Sequence, residues 1–522
     1  MVRSLYANGG SRVRQCAQTL LMMVALASTS CDISERTRLD ETRAAAAMQT
    51  ILASAYQPVS LSAGAFHSLA MTEDGTTWAW GGNGDGNVGT EGARIQTTPV
   101  PVAVWSEVSQ VSAGQGHSLA LTRNGEVLAW GRGQFGQVGD GVTQFTSAPV
   151  RVNGLPRRAR SVTAGWNRSF AVLEDGTLWA WGEHSYMALG APIVHSGLPF
   201  QVNLPGPVRS VADGQSFTLA LLENGDVWAW GFDNHGQLGL ESTTYESAIV
   251  PQPARIPSLS GVVKIAAGLD HSLAVMSDGT VRSWGANNAG QLGDGMTDPQ
   301  RVPHPVPGLN DARDVAASTL WSLALVGDGT LRAWGRNTSG QLGDATRSYH
   351  LTPVVVGNVS NITVISAGVS HGLAFDSECH VIWAWGDNDA GQLGDGRRHQ
   401  NLPPDYSPRA VAVALGNGVQ NPIWPLGGWG SSRCRLLHVM KAGVGAGTVN
   451  SSTGGISCGS PCLEAYERIS GSAHVVLSAV PDSGSTFDGW SGACRAAGGN
   501  RDAPIVIGGS TSCTALFRSQ IE

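Results

Sequence analysis

Residues 113–139 read AGQGHSLALTRNGEVLAWGRGQFGQVG, and this stretch decides the fold because the chain repeats its pattern. The Trp-Gly pair inside it recurs in seven copies of the pattern, at intervals of 49 to 54 residues. In every copy a second glycine lies eight residues after the glycine of the Trp-Gly pair. In most copies a further glycine lies seventeen residues before the glycine of that pair. A period near fifty held over seven copies indicates one supersecondary unit repeated along the chain. The seven tryptophans are Trp80, Trp130, Trp181, Trp230, Trp284, Trp334 and Trp385.

Each copy has the pattern of four short strands. In the second copy, residues 117–121 alternate as a strand does, and Asn124-Gly125 supply a two-residue hairpin turn that tolerates positive φ. A return strand at 127–131 follows, and the proline in the last strand, residues 148–152, suits a sheet edge. Four strands repeated seven times predict an all-β fold, a seven-bladed β-propeller, because ring closure leaves few exposed strand edges.

The two ends of the array suggest how the ring closes. The first copy begins with residues 59–64 and has no Pro-Val strand before it, whereas such a strand follows the seventh copy at 407–413. We therefore expect this last strand to complete the first blade.

Composition excludes several classes of function. A chain of 522 residues is too long for one ordinary core, so two or more domains are expected. The content of 69 glycines and 14% charged residues suits short strands and tight turns, and a net charge of −7 argues against a nucleic-acid partner. The sequence has no phosphate loop, nucleophile elbow or His-Glu-x-x-His motif. We expect no cofactor, no metal and no enzymatic activity.

The amino terminus predicts export. Arginines precede an apolar run at residues 20–27, which is too short to span a bilayer and is typical of a signal-peptide core. Residues 25–27 fit the rule of ordinary signal peptidase. The small residues leading into Cys31 instead resemble a lipoprotein box, with Ser28 where that box usually has leucine. We expect acylation at Cys31, so that the protein meets the membrane only through this lipid, and keep secretion as the alternative.

The repeated pattern resembles a known family. Ala-Gly-x-x-His-Ser-Leu-Ala-Leu, Asp/Asn-Gly and Ala-Trp-Gly, continued by Gly-Gln-Leu-Gly-Asp-Gly at 290–295 and 391–396, resemble the regulator of chromosome condensation repeat over about 360 residues. Departures lie at Met187 in the third copy and at Ser318 and Trp321 in the sixth. The resemblance implies a seven-bladed propeller. Guanine-nucleotide exchange, an activity of this family, is the function least expected here, since export removes a small GTPase partner.

The end of the chain has strand-like residues at 436–440 and 475–481 and the sequence Phe-Asp-Gly-Trp-Ser-Gly-Ala-Cys at 487–494. It resembles the internalin B-repeat-like, or bacterial repeat, domain of surface proteins. Five of the eight cysteines lie in the last ninety residues, and such a cluster in an exported protein indicates disulfides more than a metal site. For a small domain that needs covalent staples we expect Cys458–Cys462 and Cys494–Cys513. Four cysteines allow three pairings, and Cys434 is left unpaired or linked elsewhere.

The predicted organisation places a small disulfide-stapled β domain after the propeller. In chain order it comprises a lipoprotein-type signal peptide at 1–31, a spacer at 32–55, the propeller at 56–415, a linker at 416–433 and the β domain at 434–522.

The side chains that recur with the framework are expected to be structural. The repeated histidines should bond within each blade, and the Trp-Gly tryptophans should form packing wedges between blades. Aspartates in the loops, such as Asp85 and Asp233, are expected to stabilise turns and not to bind calcium.

The variable turn positions predict a binding face. The two residues after each Ala-Gly-type glycine fall in equivalent turns and differ between copies, so they should ring one propeller face. Exposed apolar side chains there would act as anchors for a partner, or would simply pack against adjacent loops. The expected partner is an extracellular or envelope protein or glycan, and the alternative function is inhibition of an extracellular enzyme. The candidates are Phe66, Gln115, Trp166, Gln215, Leu269, Asp270, Leu320 and Trp321.

Overall fold

The structure, a computed structural model, describes residues 58–185, 190, 195–241, 249–357, 359–378, 381–396, 406–413, 436–442, 446–452, 457–458, 464–468, 473–507 and 511–519. Regular elements in these ranges are strands, apart from a 3₁₀ turn at Arg495–Ala497. No helix in the described part is long and apolar enough to cross a membrane. The predicted signal peptide with Cys31, the spacer, the linker, Met187, Cys434 and Cys462 lie outside the described residues.

Seven four-stranded antiparallel sheets form the propeller, and each consists of four consecutive strands. Blades 1 to 4 contain β1 (Pro58–Ala63), β2 (His67–Thr72), β3 (Thr77–Gly82), β4 (Ile95–Pro101); β5 (Val108–Ala113), β6 (His117–Thr122), β7 (Val127–Gly131), β8 (Thr146–Arg151); β9 (Ala159–Ala164), β10 (Arg168–Leu173), β11 (Leu178–Glu183), β12 (His195–Val202); and β13 (Val208–Asp213), β14 (Phe217–Leu222), β15 (Val227–Phe232), β16 (Ile249–Arg255). Blades 5 to 7 contain β17 (Val262–Ala267), β18 (His271–Met276), β19 (Val281–Gly285), β20 (Gln300–Pro305); β21 (Ala312–Ala317), β22 (Trp321–Val326), β23 (Leu331–Gly335), β24 (His350–Val355); and β25 (Ile362–Ala367), β26 (His371–Asp376), β27 (Val381–Asp387), β28 (Tyr406–Ala412).

Ring closure does not involve an exchanged strand. β28 pairs with β27 in blade 7, and blade 1 is completed by its own β4, so the prediction that the last strand completes the first blade is wrong. Side chains close the ring: Leu61 and Trp80 of blade 1 pack with Leu393 and Val413 of the last repeat. The physical reason is that every copy carries its own outer strand, which leaves the first blade no vacancy to fill.

The Trp-Gly tryptophans are wedges between blades, as predicted. Trp130 is fully buried, and its indole Nε1 donates to the Asn87 carbonyl in the loop of the preceding blade at 3.0 Å. The glycine at the end of that loop is required by the same contact, because a Cβ on Gly89 would lie 2.8 Å from Trp130 Nε1. The glycine that lies eight residues after each Trp-Gly glycine therefore makes room for the indole ring of the next blade's tryptophan.

The Gly-Gln-Leu-Gly motif builds the loop between the third and fourth strands of a blade, and this loop contacts the next blade. The Gln291 side-chain oxygen accepts the Ala289 N–H at 2.8 Å, and the Gln291 carbonyl accepts the Trp334 indole N–H of the next blade at 2.8 Å. Leu292 is fully buried, and its N–H donates to the Asn287 side chain at 3.0 Å. The motif therefore serves the framework.

The carboxy-terminal module has two four-stranded sheets, ordered β32-β29-β36-β34 and β31-β30-β33-β35. Trp490 and Phe517 pack in its core, where Cys494 and Cys513 form the predicted disulfide. The predicted Cys458–Cys462 bond includes a cysteine outside the described residues. The strands are β29 (Leu436–Ala442), β30 (Gly447–Ser451), β31 (Ser457–Cys458), β32 (Glu464–Arg468), β33 (Ala473–Pro481), β34 (Ser485–Gly492), β35 (Asp502–Ile507) and β36 (Thr511–Ser519).

Candidate binding face

One face of the ring gathers the variable turns. Because the strands of each blade are antiparallel, the turns between first and second strands and the loops between third and fourth strands emerge at the same end. These turns begin at the glycines before the second strands, and the loops follow the Trp-Gly pairs. We call this end the glycine face.

The recurrent glycines let neighbouring blades approach closely around the central channel. A Cβ on Gly64 would lie 2.5 Å from the Gly114 carbonyl oxygen of the next blade, so a larger residue would clash. The Ala65 N–H donates to that oxygen at 3.2 Å, and Val369 N–H of blade 7 donates to Gly64 at 3.3 Å. The cavity at the channel mouth measures about 180 Å³ and is lined mainly by alanine, glycine and the first turn residues.

The repeated histidines bridge blades, which corrects the prediction that they bond within one. His67 Nε2 lies 2.9 Å from Ser118 Oγ of blade 2, and that hydroxyl donates to the Asn87 carbonyl at 2.8 Å. Since the serine hydroxyl is already a donor, the imidazole must donate from Nε2. Burial lowers the pKa of His67 to about 3, which agrees with a neutral ring. The other pairs are His117 with Ser169, His271 with Ser322 and His371 with Ser68.

An ion pair replaces this bridge between blades 3 and 4. Arg168 takes the histidine position, and Asp213 takes a position that holds alanine in the other six blades. Both side chains are fully buried, and Arg168 Nε and Nη2 donate to the carboxylate at 3.1 Å. Burial raises the pKa of Asp213, while the Arg168 charge and the Thr218 hydroxyl act against that rise. The two exceptional residues thus neutralise each other's buried charge.

Trp321 belongs to the framework and not to the binding face. It occupies the histidine position of blade 6, has 0% of its surface exposed and donates from Nε1 to the Gly368 carbonyl of blade 7 at 3.1 Å. The prediction that it anchors a partner is therefore incorrect. The sequence held the signal, because Trp321 stands three residues after the position of the recurrent glycine, where the buried histidine stands elsewhere.

The other seven candidates lie on the glycine face, spread around the ring. Phe66 is 52% exposed, and Gln215 is also exposed. The five that remain are half-buried, and three of them line the channel mouth. They are Gln115, Trp166 and Leu269 at the mouth, and Asp270 and Leu320 beside it.

Asp270 is held by polar groups of the preceding blade. Gln237 Nε2 donates to its carboxylate at 3.3 Å, and His235 Nδ1 lies 4.0 Å from it. Burial raises the pKa of Asp270, and the nearby His235 opposes this effect. Asp270 therefore contacts an adjacent loop, as the alternative interpretation of these turns expected.

A further set of variable positions on this face was missed from the sequence. The residue after each Trp-Gly donates its N–H to the carbonyl of the second turn residue, as Arg132 does to Gly116 at 2.8 Å. Its side chain is left to vary, and Arg132 Nε donates to Asp85 of blade 1 at 2.9 Å. The detectable signal was a variable residue directly after the invariant Trp-Gly pair. The seven are Gly82, Arg132, Glu183, Phe232, Ala286, Arg336 and Asp387.

The loop aspartates do not assemble a metal centre in the described ranges, where no group of three or more His, Cys, Asp or Glu side chains has metal-binding geometry. Asp233 illustrates their role, since its carboxylate accepts the Leu238 N–H at 2.9 Å and closes its own loop. This is the turn chemistry that short acidic side chains favour.

Profiles of known families match both parts of the chain. The RCC1-like domain matches residues 191–423, and the regulator of chromosome condensation (RCC1) repeat matches segments between 59 and 186. The ring is built of RCC1 repeats. The divergent InlB B-repeat domain matches residues 447–520, which confirms the second resemblance.

Individual relatives match parts of the RCC1-repeat ring. Protein pim1 of Schizosaccharomyces pombe is 31% identical over 247 residues, covering 46% of this chain and 39% of pim1. The ultraviolet-B receptor UVR8 of Arabidopsis thaliana is 30% identical over 248 residues, covering 46% of this chain and 56% of UVR8. The matched region thus spans about half, or less, of these relatives' length.

A solved structure supports the fold. Prp20p of Saccharomyces cerevisiae superposes with a TM-score of 0.59 and 21% identity, covering 70% of this chain and 89% of that one. The RCC1 ring described above has the same framework.

Proposed function

We propose that this protein is an exported binding protein whose glycine face engages a partner protein outside the cytoplasm. In this proposal Cys31 carries a lipid that holds the ring at the cell envelope, and the face recruits or scaffolds its partner without catalysing a reaction.

The observation that supports this proposal is that the backbone of each turn serves the framework while its side chains do not. The carbonyl of the second turn residue serves the framework in every blade, from Phe66, which accepts the Gly82 N–H, to Ser370, which accepts the Asp387 N–H. The side chains at the same position follow no pattern. Because the main chain already meets the structural need, these side chains are available for recognition.

The comparisons support protein recognition in particular. Prp20p, which shares this fold, binds Gsp1p and histones. Trp166 and Phe66 supply aromatic surface of the kind that dominates protein interfaces. A glycan is the alternative class of partner.

A capture experiment tests the face. The full-length protein and its Trp166→Ala variant, each immobilised, are exposed to the envelope and secreted proteins of the host, and bound proteins are quantified by mass spectrometry. We expect at least one specifically bound protein to fall tenfold or more with Trp166→Ala. Trp105→Ala is the matched control, because Trp105 is 55% exposed in the β4–β5 connection on the opposite face. Equal recovery of all proteins by the wild-type protein and by Trp166→Ala contradicts the proposal.

Lipid labelling tests the anchor separately. Metabolic labelling with an alkyne fatty acid in a bacterial host should mark the wild-type chain and leave Cys31→Ser unmarked. An unmarked wild-type chain in the medium would favour the secreted alternative and leave the role of the glycine face intact.

A further inference from the structure

The loop between the third and fourth strands of blade 6 places two arginines on the glycine face. Arg336 directly follows the Trp-Gly pair of this blade, and Arg347 lies at the other end of the loop, shortly before β24. Arg336 Nε donates to the Thr338 hydroxyl at 3.0 Å, and Arg347 Nε donates to the Thr338 carbonyl at 2.7 Å. Both guanidinium groups are therefore bonded to the same residue, one to its side chain and the other to its main chain.

The aromatic ring of Tyr406 in blade 7 orients Arg347. Arg347 Cζ lies 4.6 Å from the centroid of this ring, and Arg347 Nη1 donates to the Tyr406 hydroxyl at 3.4 Å. Stacking on an aromatic ring and a hydrogen bond to a main-chain carbonyl both restrict a side chain that is otherwise long and flexible. The guanidinium group is thus ordered before a partner binds, which lowers the entropic cost of binding.

Neither arginine has a counter-charge among the residues that the structure describes, since no carboxylate oxygen in those ranges lies within 4.0 Å of either guanidinium group. Asp344, a carboxylate of the same loop, accepts hydrogen bonds from Asn337 Nδ2 at 3.0 Å and from the Thr346 hydroxyl at 2.7 Å instead. Within the same ranges Nη1 and Nη2 of Arg336 and Nη2 of Arg347 have no acceptor. Two guanidinium groups with unused N–H donors favour the approach of an anion.

Blade 2 shows what satisfies an arginine at the position after Trp-Gly. Arg132 Nε donates to Asp85 of the preceding blade at 2.9 Å, so its charge is neutralised within the ring. For Arg336 the preceding blade is blade 5, where the position of Asp85 is held by the buried Ala289. The carboxylate that pairs with Arg132 therefore has no counterpart beside Arg336.

The neighbouring turn gives the reason why Arg336 bonds within its own loop. Leu320 stands where blade 2 has Gly116, and even a Cβ added at Gly116 would lie 3.1 Å from Arg132 Nε. A leucine at this position thus takes the space that the Arg132 side chain uses. Arg336 turns to Thr338 instead and stays half-buried on the glycine face.

We propose that the site formed by Arg336, Arg347 and Thr338 binds an aspartate or glutamate side chain of the partner protein. This inference rests on the proposed function and names the chemistry of the partner. The unused N–H groups of the two arginines donate to the carboxylate oxygens, and such charge-assisted bonds are stronger than bonds between neutral groups. Because the chain carries a net charge of −7, these two arginines are a local exception that fixes where an acidic surface meets the glycine face.

A defined peptide pair tests this site without knowledge of the partner. A fluorescein-labelled hexa-glutamate peptide and its hexa-glutamine counterpart, which has nearly the same shape without charge, are titrated against the full-length protein by fluorescence anisotropy. The titration is made at pH 7.5 and low ionic strength, because salt screens exposed charges. We expect the glutamate peptide to bind at least tenfold more tightly, and Arg336→Gln and Arg347→Gln should each weaken its binding at least fivefold.

Two further variants separate the site from general charge. Arg158→Gln removes an exposed arginine from the β8–β9 connection on the opposite face, so its affinity for the glutamate peptide should stay within twofold of wild type. Arg336→Lys keeps the charge and loses the planar fork, so its affinity should lie between those of wild type and Arg336→Gln. The proposal is overturned if Arg336→Gln and Arg347→Gln both stay within twofold of wild type, or if Arg158→Gln weakens binding as much as they do.

A heparin hexasaccharide is the second probe and represents a sulfated glycan. Heparin binding that requires both arginines, in a protein that does not bind the glutamate peptide, would refute the assignment to a carboxylate.

The outcome is distinguishable from a failure of the proposed function. A partner that is lost with Trp166→Ala but retained by the double variant of Arg336→Gln and Arg347→Gln would leave the binding face in place and refute the carboxylate site. Retention with the Trp166 variant and with the double variant would refute the binding face itself.

Discussion

Removal of Asp213 should loosen the ring at one junction. Asp213→Ala restores the alanine found at this position in the other blades, but it leaves Arg168 fully buried without its carboxylate. A guanidinium does not deprotonate in proteins, so the charge cannot be relieved. Two main-chain acceptors would remain, the carbonyls of Gly214 and Gln215, at 2.7 and 2.8 Å from Nη2.

The expected fall in melting temperature can be estimated from the size of the ring. Breaking a buried ion pair by removing one partner costs about 3–5 kcal/mol. The ring spans roughly 355 residues, and about 2.1 cal/mol/K per residue gives an unfolding entropy near 0.75 kcal/mol/K. The melting temperature should therefore fall by about 4–7 °C.

The reverse variant should cost less. Arg168→His leaves Asp213 buried, but the carboxyl can protonate because burial already raises its pKa. The double variant, Arg168→His with Asp213→Ala, recreates the arrangement at His117 and Ser169, with the Thr218 hydroxyl as the acceptor. Its melting temperature should return to within about 2 °C of wild type, since the two sites are strongly coupled.

Differential scanning calorimetry of the four proteins at pH 7.5 measures this cycle, with the ring transition followed separately by tryptophan fluorescence. The reasoning is refuted if Asp213→Ala melts within 1 °C of wild type. Additive losses in the double variant would refute it equally, because they would mean that the two residues do not act as a unit.

Three further predictions concern the framework. Gly268→Ala should lower the melting temperature by several degrees because its Cβ would lie 2.2 Å from the Ser318 carbonyl oxygen. Gly84→Ala is the control and should change the melting temperature by less than 1 °C, since no atom lies within 4 Å of its Cβ position. Similar losses in the two variants would contradict the argument from close approach of the blades. The four bridging histidines have a pKa near 3 in the folded protein against about 6.5 in the unfolded chain. The free energy of unfolding should therefore be highest above pH 6.5 and fall steadily below it, because only the unfolded chain binds protons there, and a pH series of thermal melts would measure this. A flat profile from pH 7 to 4.5 would show that these histidines titrate normally. Trp321→Ala should destabilise the ring by about 3–5 kcal/mol in denaturant titration because Trp321 is fully buried, whereas Phe66→Ala, at a side chain that is 52% exposed, should change the free energy of unfolding by less than about 1 kcal/mol; equal losses would contradict the assignment of Trp321 to the framework.

The repeat period was enough to predict the blades because backbone requirements recur at fixed spacing. The glycine before six of the seven second strands and the Trp-Gly pair are imposed by contacts that recur at the junctions between blades, so they are visible as a pattern. Ring closure was predicted incorrectly because the pattern gives the order of strands and not their pairing. β28 is identical in type to the six earlier outer strands, and only the sheet shows that it pairs with β27.

The binding face was predicted in part, and the errors share one cause. Trp321 was assigned to the surface because it is aromatic and irregular, although its position in the repeat is that of a buried histidine. Asp387 and Arg132 were missed since the residue after Trp-Gly directly continues an invariant pair. The Arg168–Asp213 pair was invisible from the sequence because its members are 45 residues apart and become neighbours only in the ring.

The contiguous blades make the numbering of the ring arbitrary. Blade 7 meets blade 1 through the same kinds of contact that join the other blades, including a histidine–serine bridge from His371 to Ser68 at 3.0 Å. Joining the ring's first and last strands and opening the chain in the connection between β8 and β9 would give a circular permutant with the same seven blades. The contacts between blades therefore do not depend on which blade begins the chain.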